Sequence, residues 1–300
     1  MANFVTTSLP AYVQENKDLL LKNFALVGGT RSRISVQTGV KSKARINFLE
    51  IAPTLQDGAT CGFTSAGGVN LTQREIETAT IKVNLDICPE TLRGKYAEYL
   101  IATGANEDAL PFEAYILEGM TNELGKRIEK LMWQGSKASS DANLKWIDGF
   151  IKKAEAEADV IDVEVTFDNA YKAITDVYMA LPEEVIERGA EIYVSPSVYR
   201  KFMVELVEKN FYHYAGAEAS APVEFFLPGT NAKVVMTSGL AGVDAILGTF
   251  AKNLFYGCDM EGDAEEFKVW YSDDNDLYKV KAKWNTGVQI AFPNMVVLGK

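Results

Sequence analysis

Histidine, cysteine and basic charge are all scarce in this 300-residue chain, and each shortage removes a class of function. The single histidine, His213, sits in an aromatic stretch between Tyr212 and Tyr214. A nucleophilic triad needs a histidine beside a serine or cysteine, and no GxSxG elbow accompanies this one, so packing or loop surface is its first reading and catalysis its second. The three cysteines, Cys61, Cys88 and Cys258, are odd in number, widely spaced and without a CxxC pair. They point to reduced thiols rather than a disulfide framework or a zinc site. Thirty basic residues stand against 41 acidic ones, a formal net charge of −11. That balance opposes nucleic-acid binding, which needs clustered Lys and Arg at the phosphates. No apolar run approaches the roughly 20 residues needed to span a bilayer, and the start MANFVTTSLP lacks the basic-then-apolar order of a secretory signal. A chain made and kept in a cytoplasm is the expectation.

Phosphate and metal fingerprints are equally thin. Gly28-Gly29-Thr30-Arg31 and Gly67-Gly68 lack the Gly-Lys-Ser/Thr ending of a phosphate loop and read as turns. Asp273, Asp274, Asn275 and Asp276 offer hard oxygens, but the Gly and distal Glu of a calcium loop are missing, so a solvated turn is expected. Glu155, Glu157 and Asp159 read as the exposed face of a helix end. No catalytic, cofactor-binding or metal-binding residue is assigned, no cofactor is expected, and a structural or binding role is favoured over an enzyme.

What the chain does contain is core: 47% hydrophobic and 24% charged residues, enough for two packed domains. The stretch from Pro111 to Gly135 reads as one long helix. Apolar residues recur at Phe112, Ile116, Met120, Leu124, Ile128 and Leu131, with Glu113, Glu123, Lys126 and Lys130 on other faces. Pro111 is tolerated in a first turn, Lys126, Arg127 and Lys130 suit the C-terminal dipole, and Gly135 is placed to end the helix in the left-handed conformation. Before this spine, Ser8 and Pro10 open a helix-bearing N-terminal arm with Leu19, Leu20, Phe24 and Val27 as its apolar contacts. Ile81, Val83, Leu85 and Ile87 then alternate with Lys82, Asn84 and Asp86, the mark of a strand buried on one face. Arg45 to Ile51 is its expected partner, which makes Ala52 to Asn70 a long Gly-, Thr- and Ser-rich hairpin tip. Cys88-Pro89 ends that strand, and Glu90 to Thr103 reads as a short helix.

After the spine come a weaker helix in KWIDGFIKKAEAEA and an alternating α/β region. Helices are expected at Asp168 to Met179, PEEVIERG and Pro196 to Glu208, and strands at EIYVS and KVVMT, with an aromatic, Ala-rich loop around His213. Strands at Glu266 to Tyr271, Leu277 to Trp284, Gly287 to Phe292 and Met295 to Leu298 close the chain. SDDND turns the first pair into a hairpin, and this late sheet is expected to pack on the spine.

The order of these parts resembles the major capsid protein of tailed bacteriophages, the Hong Kong phage capsid fold. The strings that carry the likeness are GVKSKARINFLE, IKVNLDICPETL, IEKLMWQG, FLPGT, NLFYGCDMEGD and WNTGVQIAFPNMVVLG, and the likeness extends over nearly the whole chain. The resemblance implies an α+β capsid fold: an N-terminal arm over residues 1–34, an extended β-hairpin loop over 35–87, a peripheral domain from 88–160 and 260–300 with the spine at 111–135, and an α/β axial domain over 161–259. It implies hexamers and pentamers of one chain closing into an icosahedral shell around double-stranded DNA, in a virion assembled in the host bacterial cytoplasm. A finger lying across the adjacent subunit and an SDDND hairpin near local three-fold contacts are part of the same expectation. The chain begins at the arm, so a separate scaffolding protein is expected and maturation cleavage is not. A portal and cement or decoration proteins would complete the partners. Two alternatives stand beside this one: an encapsulin-type nanocompartment shell, and a cytosolic enzyme working from the loop around His213.

Overall fold

The computed structural model describes residues 29–56, 58, 66–88, 112–209, 224–259 and 266–300, and the statements below concern these. The arm helix opened by Ser8 and Pro10, Cys61 in the hairpin tip, the helix at Glu90 to Thr103 and the aromatic loop with His213 fall outside them.

In chain order the strands and helices are β1 (Ser35–Gln37), β2 (Lys43–Pro53), β3 (Gly67–Glu77), β4 (Ala79–Ile87), α1 (Phe112–Gln134), α2 (Phe150–Glu157), β5 (Asp159–Ile161), α3 (Ala170–Ala180), α4 (Glu183–Glu187) and β6 (Glu191–Val194). They continue with α5 (Pro196–Glu208), β7 (Glu224–Phe226), β8 (Lys233–Met236), β9 (Ile246–Thr249), β10 (Leu254–Gly257), β11 (Glu266–Ser272), β12 (Leu277–Ile290) and β13 (Val297–Gly299). The strands form three sheets. One has the order β1-β10-β12-β11 with β4 also on β12, one has the order β5-β13-β9-β6-β8-β7, and the third is the isolated pair β2-β3.

The spine is α1, and its apolar stripe does what its period requires. Leu124, Ile128, Leu131, Met132 and Trp133 are buried in one core with Ile81 of β4 and Ala282, Trp284, Val288 and Ile290 of β12. The six-stranded sheet lies between this core and a second one. Alternation along its strands sends Tyr193, Val235 and Leu247 to the spine side. The opposite face sends Ile192, Val194, Val234 and Ile246 against Ile174 and Val177 of α3 and Val198 and Phe202 of α5. Helix α5 starts as its sequence demands: Ser195 accepts from the Val198 amide at 3.1 Å and Pro196 occupies the first turn.

Several sequence expectations are corrected. The strand at 81–87 does not pair with Arg45 to Ile51; it runs antiparallel to β12 in the closing sheet, Ile81 opposite Trp284. The partner of β2 is β3, from Lys43 opposite Glu77 to Pro53 opposite Gly67. Strand β3 escaped notice because it is exposed over most of its length, so no buried face imposes alternation. Leu277 to Trp284 and Gly287 to Phe292 are one 14-residue strand, β12, rather than two. Gly287 passes the hairpin base so closely that a Cβ there would lie 2.2 Å from the Glu77 carbonyl oxygen. The final strand β13 joins the six-stranded sheet between β5 and β9, not the closing sheet.

The spine also ends differently. Gly135 is not among the glycines with positive φ. Its small size serves close approach instead, since a Cβ would meet the carbonyl oxygens of Leu131 at 2.5 Å and Ile147 at 2.6 Å. The last turn contains no basic residue. Buried Leu131, Met132 and Trp133 occupy it.

Candidate assembly surfaces

The β2–β3 hairpin has two faces with different chemistry. On the face toward the body, Ile46 and Ile76 are buried with Val40, and the Phe48 ring lies 4.7 Å from that of Phe292 and 6.1 Å from that of Phe255. The register places Leu49 opposite Leu71 and Ile51 opposite Val69. Period two puts these four on the other face, where they are 60%, 62%, 58% and 66% exposed. Leu55, past the end of β2, is 97% exposed. The finger therefore carries cross-strand apolar pairs on the side its own body does not cover. A contiguous exposed apolar patch of this kind marks a binding surface.

Ion pairs hold the finger at its base. Lys137, just after the spine, donates to Glu77 at 2.7 Å, and this bond holds the Glu77 carboxyl below its ordinary range. Lys43 pairs with Glu75 at 2.6 Å across the hairpin. Arg74 donates to Glu157 at the end of α2, and Gln289 of β12 donates to the Glu75 carbonyl at 2.7 Å. Glu155 pairs with Lys152 and Lys300. Of the acids read as a solvated helix end, Glu155 and Glu157 are thus structural ties; Asp159 is exposed.

Where residues 30–34 cross the spine there is a buried polar junction. The Thr30 hydroxyl donates to Glu129 Oε1 at 2.7 Å and accepts from Trp133 Nε1 at 3.0 Å. Glu129 is 3% exposed, and its Oε2 has no hydrogen-bond partner. Burial pushes this carboxyl above its ordinary value, opposed by the Thr30 bonds, Ser238 and the charge of Arg31. The Arg31 guanidinium stacks 4.3 Å from the Tyr256 ring centre. A raised carboxyl pKa means the folded chain keeps a proton that the unfolded chain releases. Stability is therefore full below the ordinary carboxyl value and falls as pH rises through the raised one. Glu129→Gln removes that dependence: between about pH 5 and pH 8 the parent loses stability and the variant loses less. Urea unfolding at the two pH values checks this, and parallel curves for both chains would refute it.

The acidic turn Asp273, Asp274, Asn275 and Asp276 closes the β11–β12 hairpin as expected, with Asp276 at φ 52. Tyr271 donates to the Asp276 carboxylate, which pushes the phenol up to about 12. Among the described residues no group of three or more His, Cys, Asp or Glu is arranged to hold a metal ion. No described helix is long and apolar enough to cross a membrane. A cleft of about 150 Å³ between the spine and β4 is lined by Ile81, Val83, Leu124, Ile128, Trp146 and Trp284, with Lys82 and Arg127 also at its wall. Sequence reasoning saw Leu49 and Ile51 but not their partners Val69 and Leu71. Nothing local signals that Glu129 meets Thr30, 99 residues away.

No protein-family model and no curated protein matches this sequence. Solved structures match its fold over nearly the whole length. A chain of the satellite phage P4 procapsid, a particle that includes the size determination protein Sid, superposes with a TM-score of 0.63 at 13% identity, covering 100% of this chain and 98% of that one. A virus-like particle from Pyrococcus furiosus gives 0.55 at 12% identity over 96% and 99%. Mycobacterium phage Che8 gives 0.52 at 12% over 92% and 90%. The chain has the capsid-protein fold of tailed phages, the α+β architecture expected from the order of its parts.

Proposed function

We propose that this chain is the major capsid protein of a tailed bacteriophage. It assembles with itself as hexamers and pentamers into an icosahedral shell enclosing double-stranded DNA, as a structural protein rather than an enzyme. Its place is the virion, after assembly in the host bacterial cytoplasm. In this reading residues 161–259 form an axial domain facing the five-fold and six-fold axes, and the spine with the closing strands forms the peripheral domain. A scaffolding protein, a portal and decoration proteins are its further partners.

The observation that carries the proposal is the finger. Leu49, Ile51, Val69 and Leu71 face away from the chain's own body, and a neighbouring subunit supplies the surface that covers them and takes up the open edges of a two-stranded ribbon. Leu49→Asp with Leu71→Asp leaves the intramolecular core untouched and buries charge at that contact. The expected result is soluble, folded chain and no closed particles, read by negative-stain microscopy and size-exclusion light scattering beside the parent. Normal shells from this variant would sink the finger's role.

The likeness to the Pyrococcus virus-like particle favours a second reading, an encapsulin-type compartment. The contents of purified particles separate the two: nucleic acid indicates a virus, and cargo protein a compartment.

A further inference from the structure

The buried junction between the spine and the segment that crosses it has the parts of a latch. Residues 29–34 make a turn over the spine, closed by the Ser32 hydroxyl donating to the Gly29 carbonyl at 3.0 Å. Three contacts hold this turn down: the Thr30 hydroxyl on Glu129 at 2.7 Å, the Arg31 guanidinium over the Tyr256 ring at 4.3 Å, and Arg33 on Glu191 at 3.7 Å. Ile34 follows, buried in the core of the spine, and β1 beyond it pairs with β10.

Glu129 is the receiving group that charge would unsettle. One of its oxygens takes the Thr30 bond, while the other is buried and has no hydrogen-bond partner. An ionised carboxylate there stands out of water with half its acceptors unmet, whereas the protonated form carries no net charge to desolvate. The groups around it do not remove the cost. Arg31 favours the carboxylate through its charge, but its guanidinium is taken up by Tyr256, and no ion pair joins it to Glu129 among the described residues. Arg33 is matched by Glu191 of β6, which also accepts from the Tyr193 hydroxyl at 2.6 Å. The turn at Ser238–Leu240 offers the Ser238 hydroxyl and no charge. On β10 the Tyr256 phenol is buried and pushed up, so it stays neutral. Lys126 and Lys130 of the spine itself are exposed on other faces.

We propose that residues 29–33 are a proton-operated latch, closed on the spine while Glu129 is protonated and lifted about Ile34 when the carboxyl ionises. Lifting the turn lets water reach both carboxylate oxygens, which no side-chain rearrangement within the closed junction supplies. Residues 1–28 precede this turn in the chain, so the proton on Glu129 governs where that segment is tethered. Every contact in the latch lies within one chain, so it operates whether or not the chain closes into shells.

Residue-resolved hydrogen exchange on the full chain is the test. The Arg33 and Ile34 amides both donate to the Thr30 carbonyl, at 3.0 and 3.2 Å, and exchange once residue 30 leaves the spine. Corrected for the intrinsic rise of amide exchange with pH, both are expected to exchange about tenfold faster at about pH 8 than at about pH 5.5, and Glu129→Gln to hold them within about twofold. Amides of the paired strands β6 and β9 stay about tenfold or more better protected than these at both pH values, the mark of a local opening. Thr30→Val serves if Glu129→Gln does not fold: without the donor to Oε1, exchange rises at both pH values and the ratio between them widens. Equal pH ratios in the parent and Glu129→Gln overturn the latch, as does a Thr30→Val ratio no wider than the parent's. Exchange of Arg33 and Ile34 in step with β6 and β9 overturns it too, because the turn then opens only when the whole chain unfolds.

Discussion

Trp133→Ala is expected to lower the unfolding free energy by about 3–5 kcal/mol, a large fraction of the stability of an ordinary domain. The indole is completely buried, with its ring centre 5.3 Å from that of Phe150 and 5.1 Å from that of Tyr193. It joins the spine, α2 and the six-stranded sheet at a single point. The spine lies so close to the turn at Ser238–Leu240 that a Cβ on Gly239 would sit 2.2 Å from Trp133 Cδ1. Alanine leaves a cavity between the Phe150 and Tyr193 rings and the Ser238–Leu240 turn. The loss does not stop at packing, because Trp133 Nε1 donates to the Thr30 hydroxyl that in turn supports Glu129. Trp133→Phe separates the two contributions: it keeps most of the ring and loses the bond, for an expected loss of about 1–3 kcal/mol. Urea denaturation of the parent and both variants measures these values. A Trp133→Ala chain within about 1 kcal/mol of the parent would show that the junction is not where the layers are held together.

What could be read from the residues depended on whether burial had written a period into them. The spine was legible because Leu124, Ile128 and Leu131 face one core. Helix α5 was legible from the Ser195-Pro196 start and four buried apolar residues, Val198, Tyr199, Phe202 and Leu206. Strand β3 was not, because a finger that projects from the body exposes both faces and only Ile76 of the strand is buried. Short β13 carried no signal of which sheet it would join, since pairing with β5 and β9 is a long-range choice between two available edges.

The assembly surfaces divide the same way. The alternation along β12 is visible in the sequence, but its pairing with β4 on one side and β11 on the other exists only once the register is known. The apolar finger patch likewise needs the pairing of Leu49 with Leu71. Gly135 was recognised as a terminator for the wrong reason: the chain there needs the absence of a side chain, not a positive φ.

That distinction gives the other large effect. Gly149→Ala is expected to destabilise the chain by about 3 kcal/mol or more. A Cβ at this position would meet the carbonyl oxygens of Met132 and Trp133 at 2.7 Å each and the Gly135 amide nitrogen at 2.8 Å. All three are backbone atoms at the end of the spine, so no rotamer change relieves the contact. The Gly149 amide donates to the Gly135 carbonyl at 2.8 Å, and its own carbonyl accepts from Lys153 at 3.0 Å in the first turn of α2. Moving the chain aside breaks one or both bonds. Gly68→Ala is the matched control: nothing lies within 4 Å of its Cβ position, and a change within about 0.5 kcal/mol is expected there. Calorimetric melting of the two variants decides the matter, and a Gly149→Ala chain melting beside the control would remove the argument. The consequence reaches the finger, because α2 ends at Glu157, the residue that holds Arg74 at the hairpin base. A chain that shifts α2 to accommodate one methyl group therefore also loosens the element whose apolar face is proposed to bind the neighbouring subunit.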